Sequence, residues 1–230
     1  MDKISHFVSY FSIKFGGIRK LEGLEELGFV ILCLMIKYLI GIDEVGRGPL
    51  AGPITFCAFC VPVGKELRFL RGIKSSKKMN EKNRMEWVRK INEKAISSGI
   101  RYAISSVSAN SIDKYGISYS NRLAIKRILK KLGIEPNKCR IFLDGGLKAP
   151  KDFIFQKTIV RGDEKIKIIS CASVVAKVKR DKVMVRMAKK FKEYNFEKNK
   201  GYGTEEHLRA LREHGPCEIH RKSFLKKILT

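Results

Sequence analysis

Residues 38–53 read YLIGIDEVGRGPLAGP, and the fold follows from how this stretch is parsed. The apolar run Tyr38–Asp43 predicts a buried strand that carries Asp43 and Glu44 to its exposed tip. The loop behind it holds Gly46, Gly48 and Gly52, with Arg47 between the first two. Glycine allows positive φ and close backbone approach, so this loop can press its amides against a ligand. Successive strand residues face opposite ways. Asp43 and Glu44 can therefore share one site only if the strand breaks there, which the following glycines permit.

Outward from that stretch, strand and helix patterns alternate. Ile54–Val61 (ITFCAFCV) predicts a second strand. Gly64–Asn80 contains IKSSKK and predicts a basic loop. Glu81–Ser97 places Met85, Val88, Ile91 and Ala95 at helical spacing. Arg101–Val107 alternates as a strand, with Ser108–Asn110 as turn and cap. Ser118–Leu132 predicts a helix, Cys139–Leu143 a short strand ending in Asp144, and Phe153–Val160 another strand. Ile166–Ile169 is apolar, and a long helix covers Cys171–Lys192. Thr204–His214 and His220–Leu229 predict short helices. Strands separated by helices indicate an α/β fold, and the strand-free last 40 residues or so predict a helical appendage.

The 230 residues carry 48 Lys and Arg against 23 Asp and Glu, a net charge of +25. Such an excess suits a polyanion, and nucleic acid is the first candidate. Residues 1–34 sum to zero, so the whole excess lies in 35–230. The apolar stretches around Phe29–Ile36 and Tyr38–Ile42 are split by Lys37 and fall short of the ~20 residues of a membrane span. An acidic flank precedes them, unlike a secretory signal. Cys57 and Cys60 form the only close cysteine pair, with no second pair to complete a zinc site. The six cysteines suit reduced core thiols of a cytoplasmic protein. Residues 1–34 are expected to be a dispensable extension, with Met35 a natural start, 35–190 a catalytic domain and 191–230 a helical subdomain.

Two strands end in acid, at Asp43-Glu44 and at Asp144, and Asp163 follows a Gly162 turn. Strand ends are where α/β folds place chemistry. Clustered carboxylates in a basic chain imply a cation among them, and hard oxygen donors suit Mg²⁺ or Mn²⁺. Such ions activate water and stabilise a leaving oxygen in phosphodiester hydrolysis. Any one of these acids alone reads equally well as a turn or cap residue.

GIDEVGRGPLAGP resembles the signature of type 2 ribonucleases H, specifically ribonuclease HII. Further blocks lie in family order: SKK at 76–78, IDKYGI at 112–117, FLDGG at 142–146, GDEKIKIISCASVVAKVKRD at 162–181, NKGYGTEEH at 199–207 and GPCEIHRKSF at 215–224. The resemblance covers about 35–230, and the GRG loop favours ribonuclease HII over HIII.

This resemblance implies an RNase H-like fold, with a mixed central β-sheet flanked by helices and a C-terminal helical lobe. It implies cleavage of RNA in RNA–DNA hybrids and nicking 5′ of ribonucleotides embedded in duplex DNA. The chemistry implied is two-metal hydrolysis leaving 3′-OH and 5′-phosphate. Asp43, Glu44, Asp144 and Asp163 match the metal ligands. Gly46, Arg47 and Gly48 match the element that senses the 2′-OH, and Tyr202 the tyrosine that packs on the adjoining deoxyribose. Ser76, Lys77, Ser173, Lys177, Arg180, His220 and Arg221 are candidate phosphate contacts, each with the alternative of a solvated side chain. Phosphate contacts position a duplex without reading its sequence.

Ser75 stands where the family often has Asp, which touches loop anchoring and not the metal site. Cys171 replaces a usual alanine, and Glu164 adds a carboxylate beside Asp163. A monomer with no membrane association is expected. No protein partner is expected either, since the terminal KKILT offers no glutamine-led apolar motif. Two competing readings are a non-catalytic nucleic-acid binder on the same fold and a ribonuclease HIII-like enzyme needing a longer RNA tract.

Overall fold

The computed structural model describes residues 35–65 and 67–226. The expectations for residues 1–34, for the end of the last helix and for most of the KKILT tail lie outside the described residues. Five strands form one sheet: β1 (Tyr38–Val45), β2 (Ile54–Pro62), β3 (Arg101–Val107), β4 (Cys139–Asp144) and β5 (Gln156–Ile159). Their order is β3-β2-β1-β4-β5. β1 pairs antiparallel with β2 and parallel with β4, so the sheet is mixed and β1 is its centre. Among the described residues no helix is long and apolar enough to cross a membrane.

Alternation along β1 splits the core in two. Ile40 and Ile42 face a cluster with Phe56, Ala58 and the helix α2 (Ala109–Leu132). Leu39 faces the other side, with Cys57, Phe59, helix α1 (Glu81–Ser98) and the long helix α4 (Lys167–Lys190). A short turn of helix, α3 (Gly162–Lys165), precedes α4. Cys57 and Cys60 belong to opposite clusters, which rules out a shared metal between them.

α4 reaches β1 closely because position 41 has no side chain. A Cβ there would lie 2.5 Å from the Ile168 carbonyl carbon and 2.6 Å from the Ile169 nitrogen. A third cluster joins Leu50 and Ala51 of the glycine loop to Met184 and Ala188 of α4. It takes in Tyr194, Phe196 of α5 (Phe196–Asn199), Leu211 of α6 (Glu205–His214) and Leu225 of α7 (Lys222–Leu225). The C-terminal helices thus pack on the loop that follows β1.

Several boundaries differ from expectation. β1 does not break at Asp43: its ladder with β2 runs on to Val45↔Thr55, while its ladder with β4 ends at Ile42↔Leu143. The helix expected from Ser118 follows the non-helical Gly116 (φ 79°, ψ 164°), and an unexpected helical segment from Ala109, capped by Ser108, precedes it within α2. The strand expected from Phe153 shrinks to Gln156–Ile159, because Phe153 closes a turn on Pro150 and is buried. The last helix starts at Lys222, not His220, whose neighbourhood bridges to Ala51.

Candidate active site

β1 and β4 part beyond Ile42 and Leu143, and the acids gather at that opening. Asp43, on the α4 face of β1, is 4% exposed, and its Oδ1 accepts the Glu44 amide at 2.7 Å. Burial, then the neighbouring Glu44 charge, pushes the Asp43 carboxyl well above the usual carboxylate range. Its interaction with the Ser173 hydroxyl works the other way, and Asp144 adds to the rise. Glu44 is pushed up to about 7, first by burial and then by Asp144, with Arg47 and Lys77 partly offsetting. These charges put Asp43, Glu44 and Asp144 in one field, although the strand does not break between the first two.

Asp144 ends β4, and its Oδ1 accepts the Gly162 amide at 2.6 Å and the Asp163 amide at 3.4 Å. This draws the turn carrying Asp163 onto the strand end. Asp163 is 2% exposed, and its Oδ2 accepts the Ser75 hydroxyl at 2.5 Å. Lys77 Nζ stands 3.8 Å from the same oxygen. Ser76 and Ser173 share a hydroxyl hydrogen bond of 2.8 Å, and Lys167 Nζ donates to the Ile73 carbonyl at 3.0 Å. The basic loop is therefore tied to the acid cluster from several sides.

Ser75 corrects the expectation drawn from sequence. It sits in the acid cluster rather than outside it, holding Asp163. Lys167, Arg84 and Asp181 were also missed. Arg84 donates to the Ser76 and Met79 carbonyls and approaches Asp181, which in turn accepts Lys177 at 2.9 Å. Lys177 lies one helical turn beyond Ser173 on α4, so it shares that face. Glu164 does not join the acids: Lys78, and then Arg161, hold it on the outside and lower its pKa.

Three expected phosphate contacts are corrected outright. Arg180 and Arg221 are 0% exposed and His220 is 1% exposed. Both guanidinium groups donate to backbone carbonyls of the loop after β1. His220 Nε2 meets His207 Nε2 at 2.9 Å, and His207 Nδ1 lies 2.8 Å from the Tyr202 carbonyl. That carbonyl only accepts, so His207 carries its proton on Nδ1 and receives one from His220. His220 Nδ1 is then free to accept the Cys217 amide at 2.9 Å. The chain of bonds pins the backbone of Tyr202, whose ring is 43% exposed with the Arg180 guanidinium 5.8 Å from its centroid.

Both histidines must stay neutral for this chain. Burial lowers His207, and burial with the His207 neighbour brings His220 down to about 4. A depressed histidine stabilises the fold above its unfolded pKa near 6.5 and loses that contribution as pH falls through 4. Glu44 and Asp43 run the other way over this range, so the histidine part is isolated as a difference: in urea titrations the stability gap between wild type and His220→Gln is expected to shrink by about 3 kcal/mol as pH falls from 6.5 to 4.

The donor set fits a hard divalent cation. Glu44 Oε2 is buried without a hydrogen-bond partner, and neighbouring carboxylates help to raise the pKa of Asp43 and Glu44. No three His, Cys, Asp or Glu side chains among the described residues form a ready-made metal-holding group. Asp144 and Asp163 spend oxygens on the Gly162 amide and the Ser75 hydroxyl, so a cation competes with those bonds.

Comparison with known proteins identifies the fold and the family. The family model for ribonuclease HII matches residues 40–227. Ribonuclease HII of Caldicellulosiruptor bescii is 43% identical over 194 residues, 84% of this chain and 89% of that protein. The crystal structure of ribonuclease H2 from Pyrococcus horikoshii OT3 superposes with a TM-score of 0.62 at 25% identity, covering 83% of this chain and 96% of that one. The RNase HII in a PCNA:RNase HII complex from Archaeoglobus fulgidus gives 0.62 at 22% identity, with coverages of 80% and 93%. Bst-RNase HIII in complex with Mn²⁺ gives 0.59 at 18%, with coverages of 86% and 71%, and shares the fold.

Proposed function

The chain belongs to the ribonuclease HII family and is an endoribonuclease acting on RNA in RNA–DNA hybrids; from that premise we propose that it nicks 5′ of single ribonucleotides embedded in duplex DNA. The observation that supports the reading is that Asp43, Glu44 and Asp144 share one field where β1 and β4 part, with the Asp163 amide drawn onto Asp144 and the exposed Arg47 and Gly48 following on the same chain. Asp43, Glu44, Asp144 and Asp163 would hold two divalent ions, Mg²⁺ or Mn²⁺. Such ions supply charge for the leaving oxygen and acidify water. The protein's own part is to hold Asp43, Glu44 and Asp144 close enough to raise the cost of their charges, with Asp163 beside them on Ser75 and Lys77, so that a cation is favoured there. Lys77 and Lys177 line the approach from the basic loop and α4 and meet the phosphate backbone, whereas Ser76 and Ser173, expected there too, are 3% and 1% exposed and bond to each other behind them. Gly46, Arg47 and Gly48 meet the ribose, where only the 2′-OH separates RNA from DNA. Tyr202 offers an exposed ring to the neighbouring sugar.

A single embedded ribonucleotide and a run of four, in otherwise identical DNA, test the reading. Cleavage of the first with a 5′-phosphate product is expected, whereas cleavage of the run alone supports the HIII-like alternative. Binding without hydrolysis of either supports a non-catalytic binder. The RNase HII of Archaeoglobus fulgidus forms a complex with PCNA, and a pull-down with PCNA tests the same association for this chain.

Metal binding has a thermal signature. The raised pKa of Glu44 favours folding below 4.5 and withdraws that contribution as pH rises through about 7. A divalent cation binds the charged form and reverses the loss. Saturating Mg²⁺ should raise Tm on the order of 5 °C at pH 8 and much less at pH 5.5. Equal shifts at both pH values would separate metal binding from these acids.

A further inference from the structure

We propose that Arg180 and Arg221 are positioning residues that together set the ribose selectivity of the loop after β1, an assignment that rests on the reading above. Arg221 Nη2 donates to the Gly46 carbonyl at 2.6 Å and Nη1 to the Arg47 carbonyl at 2.8 Å. Its Nε and Nη2 also reach the Gly52 carbonyl, at 3.1 and 2.9 Å. Arg180 Nε donates to Pro53, Nη2 to Ala51 and Nη1 to Lys200, at 2.9, 3.2 and 2.9 Å.

These bonds have a directional consequence. A trans peptide is planar, with its C=O and N–H antiparallel, and there is no cis bond among the described residues. Drawing the Gly46 and Arg47 carbonyls inward onto Arg221 turns the Arg47 and Gly48 amides outward. Arg47 and Gly48 are exposed, and no described residue accepts from either amide. Two adjacent N–H donors therefore face the side where a sugar hydroxyl would lie. Gly46 makes the packing possible: its φ is +91°, and a Cβ would stand 2.1 Å from Arg180 Nε.

Arg180 carries the coupling further. Through Lys200 it ties the loop to the turn that presents Tyr202, and the Leu50 amide donates to Gly201 at 2.8 Å across the same seam. The two guanidiniums thus fix the spacing between the outward amides and the tyrosine ring. Seven backbone-directed hydrogen bonds from fixed forks would have to be replaced; lysine offers charge without the fork.

Arg221→Lys and Arg180→Lys test this. Dissociation constants are measured, with Ca²⁺ replacing Mg²⁺, for two duplexes that differ by one 2′-OH. The wild type should prefer the ribonucleotide duplex on the order of tenfold. In either folded variant the preference should fall towards one while affinity for the all-DNA duplex stays unchanged. Undiminished preference in the folded variants overturns the assignment. A wild type that neither prefers nor cuts the ribonucleotide duplex instead removes the reading beneath it. Should both variants fail to fold, the Nε–H resonances of wild-type Arg180 and Arg221 carry the test. They should shift with the ribonucleotide duplex and not with all-DNA duplex, and the absence of that difference overturns the assignment.

Discussion

Asp43→Asn should reduce cleavage on the order of a hundredfold or more while leaving duplex binding close to wild type. The same change should raise, not lower, the stability of the metal-free protein. Both effects have one cause. Asp43 is buried beside Glu44 and within the field of Asp144, so its charged form is unfavourable without a cation. Asparagine keeps an acceptor for the Glu44 amide at nearly the same volume and removes the charge. Single-turnover cleavage, anisotropy binding and thermal melts without metal give the three readouts. A variant that cuts normally removes Asp43 from the catalytic centre, and one that is destabilised removes the electrostatic explanation.

Gly41→Ala should cost about 3 kcal/mol or more of folding free energy and take activity down with it. The added Cβ would meet the backbone of Ile168 and Ile169 at 2.5–2.6 Å, and backbone cannot rotate away as a side chain can. β1 and α4 must separate. That moves Ser173 and Lys177 on α4 away from Asp43 on β1. Urea unfolding checks the stability, and an unchanged midpoint would contradict so close an approach of helix and strand.

The central strand and its acids were legible because an apolar run must be buried and a carboxylate at its end must leave the core. The long helix was legible from its apolar pattern, although it begins at Lys167 and not at Cys171. The buried arginines were not. Lys and Arg are almost never fully buried unless paired, so a basic chain invites every Arg to be read as a phosphate contact. What buries Arg180 and Arg221 is a knot of carbonyls made by a loop with Gly46 and Gly52 at positive φ. That knot exists only in three dimensions. Ser75 was hidden for a related reason: its partner Asp163 lies 88 residues away, and no local pattern links them. The shortened β5 shows the limit from the other side, since a turn closed by Phe153 interrupts a run that read as one strand.

The arrangement gives one strand two neighbouring duties. Asp43 and Glu44 belong to the acid cluster, and the next residues of the same chain form the loop held by Arg221. Any movement of that loop is felt at the acids within a few residues. This adjacency would couple recognition of a ribose to cutting beside it, and it explains why the C-terminal helices pack on the loop instead of standing apart.

The claim that matters most is that the parting of β1 and β4 is where divalent ions bind. Crystals soaked in Mn²⁺ and measured at the manganese absorption edge address it most directly. The account predicts anomalous density among the carboxylates of Asp43, Glu44, Asp144 and Asp163, with the Ser75 bond to Asp163 or the Gly162 bond to Asp144 lengthened. Density elsewhere, with these four side chains unmoved and empty between them, would contradict it.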